Sequence, residues 1–157
     1  MSTHDPRRGR RRQRIDLERA NTSTLLWLPF HAFIAEVHDA LAAAGYPDIH
    51  PAHGTVFRLL DAEGTRFTDL AARAQTTKQA IAYSVDVLEA RGYLERVPDP
   101  TDGRARLIRL TPLGEELTRL TEGVIDRVES GWAARFGADR LQRLRGMLRE
   151  LAVELGS

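Results

Sequence analysis

The chain has 157 residues, 42% hydrophobic and 29% charged, with a formal net charge of +1 and no cysteine. That length bounds it to one domain, or one compact unit with an appended subregion. The missing cysteines exclude disulfides, thiol catalysis and Cys-ligated zinc. No apolar run reaches the roughly 18 residues of a membrane span, and no apolar segment directly follows the Arg-rich start, so neither a membrane anchor nor a secretory leader is expected and the cytoplasm is the expected location.

Residues 1–14 hold Arg7, Arg8, Arg10, Arg11, Arg12 and Arg14 against Asp5, a net of +5, which leaves the rest of the chain at −4. Without an apolar residue after Met1, this stretch reads as a disordered basic arm. Such an arm either lies along DNA phosphates or in a minor groove, or it is a solvated tail. The body is mildly acidic, so any affinity for nucleic acid must come from local patches. Lys78 is the only lysine.

From about residue 15 to Ala44 the apolar residues Leu25, Leu28, Ala32, Phe33, Val37, Leu41 and Ala44 recur at steps of three and four, the period of a helix. Pro29 either kinks that helix or sits in its first turn. Gly45 ends it, and Tyr46 to Pro51 reads as a loop. A second helix is expected from about Ala52 to Asp61, burying Val56, Leu59 and Leu60. Glu63-Gly64 turns the chain. Thr68 then caps a short helix, with Phe67 as a hydrophobic staple.

The turn Ala74 to Thr76 leads into a further helix, for which Thr76-x-x-Gln79 forms a capping box. Its inner face is Ile81, Val85 and Leu88, and Gly92 stops it. Tyr93–Val97 and Ala105–Leu110 read as two strands joined by a loop rich in turn formers: Pro98, Asp99-Pro100 and Asp102-Gly103. Thr111-Pro112 starts another helix. Leu113, Leu117, Leu120, Val124 and Val128 form one stripe, Gly131 and Gly137 bracket a break, and Leu141, Leu144, Leu148, Leu151 and Leu155 form a last stripe.

Short helix, turn, longer helix, Gly stop and Arg-bearing hairpin make up the layout of a winged helix-turn-helix. The first two turns of the second helix must be polar, because they reach base edges in the major groove. Thr76, Thr77, Lys78, Gln79, Ala80, Tyr83 and Ser84 are the candidates. Gln79 can pair with adenine, Thr methyls can touch thymine, and Lys78 suits phosphate. In the wing, Arg104 and Arg106 suit a narrow minor groove. Asp102, being acidic, should brace an Arg or cap the turn. For a single helix an ordinary solvated face would be the better reading; the surrounding elements make the difference.

The segment L-A-A-R-A-Q-T-T-K-Q-A-I-A-Y-S-V-D-V-L-E-A-R-G-Y-L-E-R, followed by P-D-P-T-D-G-R-A-R-L-I-R-L-T-P-L-G, resembles the MarR family of bacterial transcriptional regulators. The D-P-x-D-x-R wing and the L-T-x-x-G after it carry the resemblance, which covers about residues 25–155. It implies a homodimer, Arg104 at the wing tip near the minor groove, Asp102 shaping the wing, and a repressor of transcription released by a small, often aromatic, ligand. The second wing position, often Arg in the family, is Gly103 here.

The fold expected is therefore mainly α with a small β wing. Residues 46–111 form the DNA-binding module, and residues 15–45 and 112–157 a helical dimerisation region. Two apolar stripes near the chain ends call for a partner. Trp27, Phe30, His31 and Phe57 are pocket candidates, though core packing accounts for such residues as well. His31 and His38, and His50-x-x-His53, raise a metal-sensing repressor as an alternative. A winged module used for protein–protein contacts is the other. No Gly-rich phosphate loop, G-x-S-x-G or H-E-x-x-H is present, so neither catalysis nor a cofactor is expected.

Overall fold

The computed structural model describes residues 15–156. In chain order the elements are α1 (Thr22–Ala43), α2 (Pro51–Leu59), β1 (Thr65–Arg66), α3 (Phe67–Arg73), α4 (Lys78–Ala90), β2 (Leu94–Asp99), β3 (Asp102–Leu110), α5 (Pro112–Phe136) and α6 (Ala138–Glu154). The fold is mainly helical with one small antiparallel sheet, ordered β1-β3-β2. The described residues divide into two compact units, which part between Ala32 and Phe33.

Within the first unit, α1 starts at Thr22, later than the apolar period suggested. Asn21 sets that start: its Oδ1 accepts the Thr24 N–H at 3.0 Å, the bond that satisfies an orphan amide of the first turn. Pro29 lies inside the helix. It removes the N–H that would bond to the Leu25 carbonyl, and its place in the third turn excludes the reading that put it in the first. Leu25, Leu26, Trp27 and Phe30 are all exposed.

The second unit holds the core: Val37, Leu41, Val56, Leu70, Ile81, Val85, Leu88, Leu94, Ile108, Leu117 and Val124 are buried together. Helix α2 begins at Pro51, one residue before the expected start. Pro51 is thus the first helical residue, where a missing N–H costs nothing, and not a breaker. The two-residue strand β1, which the sequence reading lacked, pairs Thr65 with Ile108 and Arg66 with Leu107. Helix α3 starts at Phe67 with Arg66 in the capping position, so Thr68 is no cap; its hydroxyl lies 3.4 Å from Asp69 Oδ1.

The wing strands are longer than expected. Residues 98, 99 and 102–104, read as loop, pair or extend in the sheet, and the connection shrinks to Pro100-Thr101. Pro98 is tolerated because β2 is an edge strand, and the register slips between Pro98 and Asp99. Helix α5 runs unbroken through Gly131. Only Gly137, at φ 101°, separates it from α6, because that backbone conformation strains any residue with a Cβ. Thr111 caps α5 as the sequence implied, accepting the Gly114 N–H at 3.1 Å. No residue of α6 is buried.

Candidate nucleic-acid interface

Helix α4 is placed by its apolar face. Ile81, Val85 and Leu88 are buried, so the opposite arc must face outward, and Lys78, Gln79, Ala80 and Tyr83 are all exposed. Tyr83 is the most exposed of the helix's large hydrophobic side chains, at 70%. Lys78, the first helical residue, projects its Nζ over the Phe67 ring of α3 at 5.9 Å from the centroid.

The cap of α4 is Thr77, not Thr76. The Thr77 side chain accepts the Ala80 N–H at 3.2 Å. With two adjacent threonines, either could open the helix; the backbone extends at Thr77, so its hydroxyl is spent on the helix and Thr76 remains exposed in the turn. Ser84 does not share the outward face. At 4% exposure it lies at the edge of the inner arc, about 40° from Leu88 at a step of about 100° per residue, where packing covers it.

The wing is fixed by a residue that the sequence marks only as a turn former. Asp99, 5% exposed, accepts the Thr101 N–H at 2.8 Å and the Thr101 hydroxyl at 2.7 Å on one oxygen. Its other oxygen takes the Arg66 Nε–H at 2.7 Å. The local half of this is an Asx turn, which Asp99-Pro100-Thr101 could have signalled. The Arg66 half joins residues 33 apart in sequence. The bonds from Thr101, then Arg66, bring the Asp99 carboxyl down to about 2. A folded-state value below the ordinary carboxylate range means that the lock is fully present above that range and is lost only as pH falls through about 2. It fastens the wing turn to the start of α3.

Asp102 accepts the Arg104 backbone N–H at 3.1 Å, which caps the turn, and lies 3.9 Å from Arg66. It braces neither Arg104 nor Arg106. Elsewhere in the hairpin, Arg109 is paired with Glu95 at 2.7 Å, and Arg96 with Asp86 and Glu89 of α4. Among the described residues Arg104 and Arg106 have no carboxylate partner, and both are exposed. Two residues apart on one strand, they share a face. The wing thus carries uncompensated positive charge only near its outer end, on a body whose other wing arginines are neutralised.

None of the remaining candidates belongs to α4 or to the wing hairpin. Trp27 and Phe30 pack on His31, with ring centroids 4.4 and 5.7 Å apart. Phe57 lies against the core of the other unit and does not line the groove of about 600 Å³ bounded by Glu36, Asp39, Val124, Arg127, Val128 and Arg135. His53 is buried and its Nδ1 accepts the His50 N–H at 3.2 Å, a cap for α2. Burial, then the neighbouring His50, pushes its pKa down and favours the neutral ring this bond needs. Among the described residues no group of three His, Asp or Glu side chains is arranged to hold a metal ion. The six arginines of residues 7–14 lie outside the described residues. No described helix is long and apolar enough to cross a membrane.

Comparison with known proteins agrees with this geometry. Residues 48–105 match the model of the MarR family. The chain is similar to YdcH, an HTH-type transcriptional regulator of Bacillus subtilis, with 28% identity over 73% of this chain and 80% of that one. Among solved structures it resembles MarR, with 26% identity, a TM-score of 0.73 and coverage of 87% of this chain and 98% of that one. It also resembles CouR of Rhodococcus jostii, solved with p-coumaroyl-CoA, with 26% identity, a TM-score of 0.65 and coverage of 83% and 90%. The helix-turn-helix, the wing and these likenesses agree: residues 48–105 match the MarR family, and the chain is similar over most of its length to winged helix-turn-helix transcriptional regulators of that kind.

Proposed function

We propose that the protein is a cytoplasmic, homodimeric repressor that binds an inverted-repeat operator and is released by a small ligand, acting by binding and not by catalysis. The observation that carries this is that one module presents an outward polar arc on α4 and, on its wing, Arg104 and Arg106, which have no carboxylate partner among the described residues. In this reading residues 46–111 are the DNA-binding module. Thr76, Lys78, Gln79, Ala80 and Tyr83 meet the major groove, Thr77 serves by holding the helix start, and Arg104 and Arg106 meet the minor groove. Buried Ser84 has no part in the contact. Residues 15–45 and 112–157 supply the dimer, and the basic arm adds phosphate contacts.

The release ligand is inferred from kinship: CouR was solved with p-coumaroyl-CoA. A two-fold dimer spaces its two recognition helices about one DNA turn, roughly 34 Å, apart. An inverted repeat with that spacing upstream of a regulated gene is therefore the target to test. On it, Arg104→Ala is expected to weaken binding by about 1–3 kcal/mol, the scale of one good groove contact. Gln79→Ala should cost a similar amount on the operator and little on random duplex. Fluorescence anisotropy at fixed salt measures both. Unchanged affinity in both variants would leave the arc and the wing without a role in DNA binding.

A further inference from the structure

The outward arc of α4 is not uniformly suited to DNA. Gln79, Tyr83 and Asp86 follow each other at i, i+4 and i+7, the spacing of one helix face, and all three are exposed. A carboxylate thus sits on the same stripe as the residues that would meet the duplex, and Glu89 stands one turn beyond it. Carboxylates facing phosphates repel them, and at ordinary ionic strength they do so across roughly 8–10 Å. Neither acid has a basic partner on α4 among the described residues.

The partner comes from the wing. Arg96, in β2, reaches back to α4, with one terminal nitrogen 2.7 Å from Asp86 Oδ1 and the other on Glu89 Oε2. Its side chain is 37% exposed, and Asp86 is 64% exposed, so the fork lies at the surface, on the stripe that also carries Gln79 and Tyr83. Arg96 stands opposite Ile108, and Arg106 opposite Pro98, two residues further out on the same hairpin face. One face of the wing therefore carries three arginines with two assignments: the inner one spent on α4, the outer two unspent.

We infer that Arg96 is a positioning residue for DNA binding, which masks the acidic third turn of the recognition helix and so lets the helix approach the phosphates. This rests on the DNA-binding reading given above. A surface ion pair of this kind adds little to stability. Its effect appears when a polyanion is brought up to it.

The test separates masking from a plain tether between wing and helix. The probe is a fluorescein-labelled, mixed-sequence duplex of about 30 base pairs, because non-specific affinity reports charge directly. Arg96→Gln is expected to weaken binding about tenfold at roughly 100 mM salt, with the difference shrinking as salt rises. Arg96→Lys, which keeps the charge but not the planar fork, should recover part of the loss. The decisive variant is Arg96→Gln with Asp86→Asn and Glu89→Gln. Masking predicts affinity at or above that of the unmodified protein, since nothing is left to mask. A tether predicts that it stays as weak as Arg96→Gln alone, and that result overturns the inference. Should Arg96→Gln fail to fold, Asp86→Asn/Glu89→Gln with Arg96 intact decides: masking predicts tighter binding, a tether weaker or equal binding. Unmodified protein that binds no duplex would overturn the DNA-binding reading itself, a result distinct from either.

Discussion

Gly114→Ala is expected to lower the midpoint of thermal unfolding by roughly 6–12 °C. The Cβ of an alanine there would fall far inside contact distance of the Tyr93 carbonyl oxygen, with Leu110 Cδ2 at 3.1 Å. The obstacle is backbone, so no rotamer relieves it. That carbonyl already accepts the Thr111 N–H at 3.1 Å, and the Thr111 hydroxyl donates to the Gly92 carbonyl at 2.5 Å. The start of α5 is thereby clamped onto the turn that links the recognition helix to the wing. Overpacking against such a clamp costs about 3 kcal/mol, and for a chain of this size each kcal/mol moves the midpoint by roughly 2–4 °C. Circular dichroism melting decides the matter; a midpoint within about 2 °C of the unmodified protein would show that the clamp can give way cheaply. The glycine of the L-T-x-x-G motif is thus a packing requirement, not a DNA contact.

Removing residues 141–157 is expected to reduce operator affinity by roughly 100-fold or more, the scale on which a second linked half-site contributes. Helix α6 has no fully buried residue, and Met147, Leu148, Leu151 and Leu155 stand exposed along one face. An apolar stripe of that length calls for a partner surface, and a second copy is the partner proposed here. Light scattering coupled to gel filtration should give a dimer for the full chain, and monomer or aggregate for the truncated one. A stable truncated monomer that binds the operator with full affinity would remove the dimer from the proposal.

What could be read from the sequence follows from how local its cause is. The inner face of α4 was legible because Ile81, Val85 and Leu88 repeat at helical spacing, and Thr111-Pro112 marked the start of α5 because cap and first-turn preferences act on neighbours. The failures have the opposite character. Ser84 is small enough to sit on either side of a helix, so only packing decides it. Two adjacent threonines offered two starts for α4, and one residue of difference exchanged the roles of Thr76 and Thr77. Strand β1 has two residues, too few to show a period, and exists because β3 pairs with it. Asp99 and Arg96 act through residues in other elements, and nothing in their own neighbourhoods announces Arg66, Asp86 or Glu89. The apolar stripe of α6 was plain in the sequence, and so was its need for a cover.

The isolation of Lys78 gives the molecule a chemical address. Every other basic side chain that is charged at neutral pH is a guanidinium, which acylating reagents leave alone. The one side-chain amine stands exposed at the first residue of the recognition helix. A reagent that acylates amines will therefore modify a single side chain, and in doing so will remove a positive charge at the point where α4 would enter a groove. Bound duplex should shield that amine, so the yield of modified Lys78, read by mass spectrometry with and without DNA, reports occupancy of the recognition helix without any label having been introduced.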